Sequence, residues 1–228
     1  MNKLTTMFCA VFTLLLVNAT AQADSSNFAG PYVGISGSGY GVQMDGESNS
    51  SSGGVTETDN VSVGQVAPVT GVEVGYALPI GSMMLLDVGG SFYSGEAKLN
   101  HYQDDKGPND GDSANKDVSF KMDNLVHYYI APTLVLSDTS SVYIKVGVSE
   151  ADVTVSGDIT SPGNLSGQTW AMGTRTVLES GIFIRTEAGY TDYNGISAHG
   201  KGTNVANTTT YSAEPTVAFG AVSLGFRF

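Results

Sequence analysis

The last eight residues, Ala221-Val222-Ser223-Leu224-Gly225-Phe226-Arg227-Phe228, restrict the possible folds more than any other stretch. Val222, Leu224, Phe226 and Phe228 share one parity, while Ala221, Ser223, Gly225 and Arg227 share the other. Successive strand side chains point to opposite faces, so this segment reads as a strand with one apolar face and one small or polar face. An apolar strand left open at a terminus invites pairing with other chains. A strand that closes a barrel has both edges paired. The segment is therefore expected to close a barrel, and the rest of the chain must supply the wall.

A period-two reading supplies seven more strands. The eight candidates cover roughly 30–43, 66–79, 83–98, 119–136, 141–155, 168–178, 181–193 and 211–228. Three connections are tight hairpins: Pro79-Ile80-Gly81-Ser82, Ser137-Asp138-Thr139-Ser140 and Glu179-Ser180. The other four, about 44–65, 99–118, 156–167 and 194–210, are long and rich in Ser, Asn, Asp, Gly and Thr. An even strand count, short turns at one rim and long loops at the other describe an all-β, transmembrane, antiparallel up-and-down barrel. A soluble sandwich has no reason to segregate loop lengths in this way.

Alternation alone does not say which face is inside, because a lipocalin-like soluble barrel also alternates, with its apolar face inward. The polar face decides. It carries glycine, alanine and serine with about one charge per strand, whereas a water-facing exterior would carry many more. The charges have both signs: Glu73, Asp87 and Glu187 against Lys145, Arg175, Arg185 and Arg227. Such a set suits pairing in a narrow lumen, where an unpaired charge costs several kcal/mol. Tyr76 and Phe228 fall near the short-turn rim, and Phe92, Trp170 and Tyr190 toward the loop rim, as interfacial aromatic girdles require.

The first 23 residues read as a secretory signal. Lys3 gives a positive start, Leu4 to Val17 is mostly apolar, and Ala21-Gln22-Ala23 fits the small-residue cleavage rule. The domains expected are thus a removed leader, 1–23, and a barrel, 24–228. The single cysteine, Cys9, lies in the leader. Disulfides are then not expected to contribute to stability, although the compartment permits them. A net charge of −12 argues against nucleic acid, whose phosphates need a basic surface. No segment after the leader approaches 18 uninterrupted apolar residues, so no transmembrane helix is expected.

Several of these segments resemble a known family. Thr169-Trp170-Ala171-Met172-Gly173, followed by Gly181-Ile182-Phe183-Ile184-Arg185-Thr186-Glu187-Ala188-Gly189-Tyr190-Thr191-Asp192-Tyr193, is similar to the late hairpin of small outer-membrane barrels of the OmpA/OmpX and opacity-protein type. Phe28-Ala29-Gly30-Pro31-Tyr32-Val33-Gly34 and Val74-Gly75-Tyr76 resemble that family's early strands. Leu224, Phe226 and Phe228 resemble its C-terminal assembly signal, which implies the outer-membrane insertion machinery as a partner during biogenesis. Thr174, Arg175 and Val177 depart from the family pattern, so the lumen pairing in that strand is expected to differ. No peptidoglycan-binding domain follows in this sequence, and the wall-tethering role of full-length OmpA is not implied.

Candidate chemistry is sparse. His127 has lumen parity, while His101 and His199 fall in long loops. A lumen histidine is more often part of a structural polar network than a base. The Phe-x-x-His-x-Ser type of motif of lipid-A acyl-modifying barrels is absent, since Tyr128-Tyr129 follow His127. Catalytic, cofactor and metal residues are therefore not assigned. The acidic loop holding Asp104, Asp105, Asp110 and Asp112 does not match the calcium-loop template. It could still bridge divalent cations to lipopolysaccharide phosphates. The glycines of Gly34-Ile35-Ser36-Gly37-Ser38-Gly39 lie in a strand pattern and form no phosphate cradle. Pro132, which cannot donate a ladder bond, predicts a local bulge.

The reading is a monomeric outer-membrane barrel whose narrow interior is plugged by paired charges. Its partners are expected to be outer-membrane lipids and lipopolysaccharide, with an extracellular ligand that the loops do not name. Function then falls to the loops, as adhesion, resistance to host or phage factors, or envelope integrity. The alternatives are a narrow porin-like channel and, behind it, a lipid-A-modifying enzyme.

Overall fold

The computed structural model describes residues 24–52, 55–103, 116–156, 163–178, 180–199 and 207–228. The leader and the acidic stretch 104–112 lie outside the described residues. Among the described residues ten strands form one antiparallel sheet: β1 (Gly30–Ser52), β2 (Val55–Pro79), β3 (Met84–Ser94), β4 (Ala97–Gln103), β5 (Lys116–Val135), β6 (Ser140–Ser156), β7 (Leu165–Val177), β8 (Ile182–Tyr193), β9 (Ile196–His199) and β10 (Asn207–Arg227). Eight of them close a barrel in the order β1-β2-β3-β5-β6-β7-β8-β10, and β10 pairs back onto β1. The terminal segment is the closing strand, in register from Tyr32↔Arg227 upward.

Three short turns join β2 to β3, β5 to β6 and β7 to β8 at one rim. Each is tied by backbone bonds across its neck, such as Ile80 N–H to Met84 O and Leu136 N–H to Ser140 O. Gly181 takes φ +81 in the third turn, a conformation that a side chain would strain.

At the other rim the strands run further than their sequence pattern indicates. Within the span 44–65, expected as a loop, the described residues 44–52 and 55–65 belong to β1 and β2 and are paired up to Ser52↔Val55. The described parts of 99–118, 99–103 and 116–118, pair as a second ribbon, β4 on β5, and Ile196–His199 pairs with β10. The polarity of the wall inverts where it leaves the apolar band. In β1, Val33 and Ile35 face outward and Tyr32 and Ser36 inward; higher up, Asp45 and Glu47 face outward and Val42 and Met44 inward. An apolar-face template stops at that inversion although the ladder continues.

Two irregularities shape the upper wall. Gly95, at φ +154, ends the β2–β3 ladder at Thr70↔Ser94, and β4 then pairs with β5. The bulge expected at Pro132 lies elsewhere: the β5–β6 register shifts between Asp123 and Val126, where Asn124 has φ 50. The ladder to β6 omits Ala131 and Pro132 and resumes at Thr133↔Tyr143 in the same register. The missing proline N–H thus costs ladder bonds without displacing the strand.

Among the described residues the outer surface carries a band of exposed Val, Ile, Leu and aromatic residues, while the interior buries six charged groups. That inside-out distribution belongs to a wall whose solvent is hydrocarbon. Strands of about 9–11 residues cross a bilayer. β1, β2, β5 and β10 have 23, 25, 20 and 21 residues. The excess corresponds to roughly 30 Å of paired strand above the membrane, at about 3.3 Å per residue and about 40° of tilt.

Candidate functional site

Six of the seven sequence-predicted lumen charges meet in one layer across the barrel. Glu73, Asp87, Lys145, Arg175, Arg185 and Glu187 are between 1 and 8 % exposed. Arg185 Nη1 donates to Glu73 Oε2 at 3.0 Å, and its Nη2 lies 3.8 Å from Asp87 Oδ2. Arg175 Nη2 donates to the same Asp87 oxygen at 2.8 Å, joined by Thr133 Oγ1 at 3.3 Å. Lys145 Nζ pairs with Glu187 Oε2 at 2.5 Å, and Tyr143 donates to that oxygen at 2.8 Å. Three cations therefore face three carboxylates.

Tyrosines, which the charge pattern did not single out, join these pairs. The Tyr32 and Tyr129 hydroxyls lie 3.0 Å apart, and Arg185 Nη1 donates to Tyr129 Oη at 3.4 Å. Lys145 Nζ sits 4.2 Å above the Tyr129 ring, and the Arg175 guanidinium lies 4.8 Å from the Tyr32 ring. Such faces stabilise a desolvated cation by about 2 kcal/mol.

Arg227 does not belong to the layer, contrary to the expectation of acidic partners. It is partly exposed at the short-turn rim, where its Nη1 donates to the carbonyls of Ser26 at 3.4 Å and Ala29 at 3.0 Å. Its strand ends there, so its side chain reaches the rim and not the mid-lumen carboxylates.

Charge is only the middle of the filling. Below it Phe28, Tyr32, Ala77, Leu85, Val135, Val177 and Phe183 form an apolar cluster. Above it a larger cluster includes Tyr40, Val42, Met44, Tyr93, Leu125, Leu165, Val217 and Phe219. Four rings there form a closed cycle: Tyr40–Tyr93 at 5.6 Å, Tyr93–His127 at 5.2 Å, His127–Phe219 at 6.1 Å and Phe219–Tyr40 at 5.3 Å. His127 is thus a ring among rings. Alongside, Thr169 is hydrogen-bonded to both Ser149 and Thr191 across three strands.

The glycines acquire a steric reason here. Lumen aromatics lie directly across the ladder from glycines: Tyr32 over Gly75, Tyr129 over Gly89, Tyr143 over Gly173 and Phe183 over Gly225. A Cβ on Gly173 would stand 2.4 Å from Tyr143 Oη and 2.2 Å from Thr186 O. At these four positions the missing side chain on the opposing wall residue leaves the room that the ring takes.

Outside, Tyr76, Phe92, Trp170 and Tyr190 are all exposed on the apolar band, Trp170 and Tyr190 as cross-strand partners. Tyr128, of outward parity between the lumen residues His127 and Tyr129, joins them. Leu224, Phe226 and Phe228 also face outward, with the two Phe rings edge-to-face at 5.2 Å. On the upper wall Lys98 and Lys121, cross-strand neighbours, share Glu96 at 2.8 and 3.1 Å. Hydrogen bonds from Lys98 and Lys121 hold the Glu96 carboxyl below the usual glutamate range. His199 in β9 lies 3.4 Å from Thr210 Oγ1. His101 lies in β4, and its side chain is outside the described residues. Among the described residues no group of three or more His, Cys, Asp or Glu is placed to hold a metal ion.

The model of the outer membrane protein beta-barrel domain matches residues 10–219. No curated protein matches the chain. Among solved structures, the outer membrane protein OprG of Pseudomonas aeruginosa is 16% identical, with 88% of this chain and 97% of that chain covered at a TM-score of 0.54. The attachment invasion locus protein Ail of Yersinia pestis, seen in complex with the heparin analogue sucrose octasulfate, is 13% identical over 82% and 98%, at 0.33. The outer membrane protease OmpT of Escherichia coli is 10% identical over 86% and 97%, at 0.39. The likeness to OprG is one of fold and transfers no residue roles. The protein is located in the outer membrane, and the chain belongs to the family of outer membrane protein β-barrel domains.

Proposed function

We propose that this barrel is a non-enzymatic surface-interaction protein, sealed through its lumen, whose extracellular strand extension carries the binding. The observation behind this reading is the contrast between the two ends of the interior and the outside of the extension. Through the lumen an ion-paired layer lies between two apolar clusters, which favours a plug over a solute path. Above the membrane, paired strands present a polar outer face with Asp45, Glu47, Asn60, Ser62 and Glu214. Long paired strands cost more chain than closing a barrel requires, and a rigid ledge loses less entropy on binding than a free loop. Outer-membrane lipids and lipopolysaccharide are the partners of the wall, and the assembly machinery is the partner of the terminal strand.

Removing 46–62 and closing the β1–β2 hairpin with a short turn tests the reading. The shortened protein should remain heat-modifiable on gels, while cells carrying it lose adhesion to host cells or matrix proteins. If cells with the intact protein bind no better than cells without it, and show no other surface phenotype, the reading fails. The enzyme alternative predicts a change in the mass of lipid A that His127→Ala abolishes. The ring cycle around His127 instead favours an unchanged lipid A.

A further inference from the structure

The short-turn rim is closed by the first described residues, and the expected processing site immediately precedes them. Ser25 is buried there: its N–H donates to Ser82 O at 2.8 Å and its Oγ to Gly81 O at 2.7 Å, both in the β2–β3 turn. Phe28 is fully buried in the lower apolar cluster. Arg227 of the closing strand grips the carbonyls of Ser26 and Ala29. Asp24 N donates to Asp138 Oδ1 of the β5–β6 turn at 3.3 Å, while the Asp24 carboxylate accepts from Ser26 N at 2.9 Å. Residues 24–29 thus strap two turns and the closing strand together across the mouth.

We infer that Asp138 is the receptor for the N-terminus that leader removal creates. The inference rests on cleavage after Ala23. Hydrolysis adds water across the Ala23–Asp24 peptide bond: the hydroxyl goes to the Ala23 carbonyl, which leaves as a carboxylate, and the Asp24 nitrogen gains protons. With an ordinary value of about 7.7–8.0, that amine is mostly an ammonium at neutral pH. An amide N–H facing a carboxylate becomes a cation facing the same carboxylate, and a charge-assisted bond is roughly twice as strong as a neutral one. Processing and closure of the mouth are linked through this contact. A chain that still carries its leader has no charge at Asp24 N to offer. The Asp24 carboxylate, turned onto Ser26, leaves its nitrogen free for the turn.

The test uses the mature protein purified from outer membranes, with its N-terminus read by mass spectrometry. A terminus other than Asp24 overturns the cleavage reading, and the receptor assignment falls with it. With Asp24 in place, the α-amine is acetylated near neutral pH under a limiting reagent, and N-terminal peptide modification is followed in wild type, Asp138→Asn and Asp138→Glu. Paired ammonium reacts slowly. The expected result is about three- to fivefold faster modification in Asp138→Asn, at the upper end for an exposed ion pair, and wild-type behaviour in Asp138→Glu. A protein with one extra alanine before Asp24 should react at the fast rate whatever residue stands at 138. Equal rates in wild type and Asp138→Asn, with both proteins heat-modifiable and both starting at Asp24, overturn the assignment.

Discussion

Arg185→Ala should be among the most damaging single substitutions in the wall. Arg185 is the guanidinium that Glu73 pairs with, at 3.0 Å, and it also faces Asp87 at 3.8 Å and Tyr129 Oη at 3.4 Å. Asp87 retains Arg175 at 2.8 Å, so the loss falls on Glu73. Two cations then face three carboxylates in a region shut off from water. Breaking one partner out of a buried pair costs about 3–5 kcal/mol, against a total of about 5–15 kcal/mol for a typical domain. The excess charge can be removed separately: Glu73→Gln with Arg185→Met restores neutrality at similar volume. The double variant should recover about 1–3 kcal/mol relative to the sum of the singles. Urea unfolding of protein in lipid vesicles reads both quantities through Trp170, the chain's one tryptophan, which faces lipid. A loss below about 1 kcal/mol in Arg185→Ala, or strict additivity in the pair, refutes the idea that charge balance holds this layer together.

Gly173→Ala places a Cβ 2.2 Å from Thr186 O, a backbone atom that cannot swing away. It should destabilise by about 1–3 kcal/mol or more in the same unfolding assay, and Tyr143→Phe should not rescue it. On the exposed upper wall the pH dependence of Glu96 has a definite sign. Its lowered pKa gives a contribution that is present above the ordinary glutamate range and lost as pH falls through the folded value. Salt screening keeps that contribution small. An NMR titration should therefore place Glu96 below free glutamate and show it rising in Lys98→Ala, with no change in the unfolding midpoint. Deleting Phe228, a residue 71 % exposed, should leave refolding in vesicles nearly unchanged but lower the amount of barrel inserted in cells. Equal defects in both settings would mean that the ring acts through stability and not through assembly.

Much of the wall was legible because lipid imposes one rule on every strand. Val72, Val74, Tyr76 and Leu78 alternate with Glu73 and small residues for as long as the outside is hydrocarbon, and the short turns carry their own residue signals. The upper strands were not legible, because water replaces lipid there while the parity continues. Gln43, Asp45 and Glu47 occupy the outward parity of Val33 and Ile35, so an apolar-face template reads the same strand as a loop. The lumen charges were visible as inward-parity residues of both signs, but their partners were not. Pairing Arg175 with Asp87 joins positions 88 residues apart, and only closure of the sheet sets that contact. Arg227 shows the limit of parity: it gives the face but not the depth. Tyr32, Tyr129 and Tyr143 were hidden because their role depends on glycines across the ladder, a pairing that requires the register.

Single-protein current recording in planar bilayers tests the central claim most directly. A lumen holding an ion-paired layer between two apolar clusters should give no reproducible conductance steps over a wide voltage range in high salt. Arg185→Ala, if it inserts, should show leak where wild type is silent. Steady, reproducible steps from the wild-type protein, altered in size by Arg185→Ala or Glu187→Ala, would contradict the sealed barrel and favour the channel.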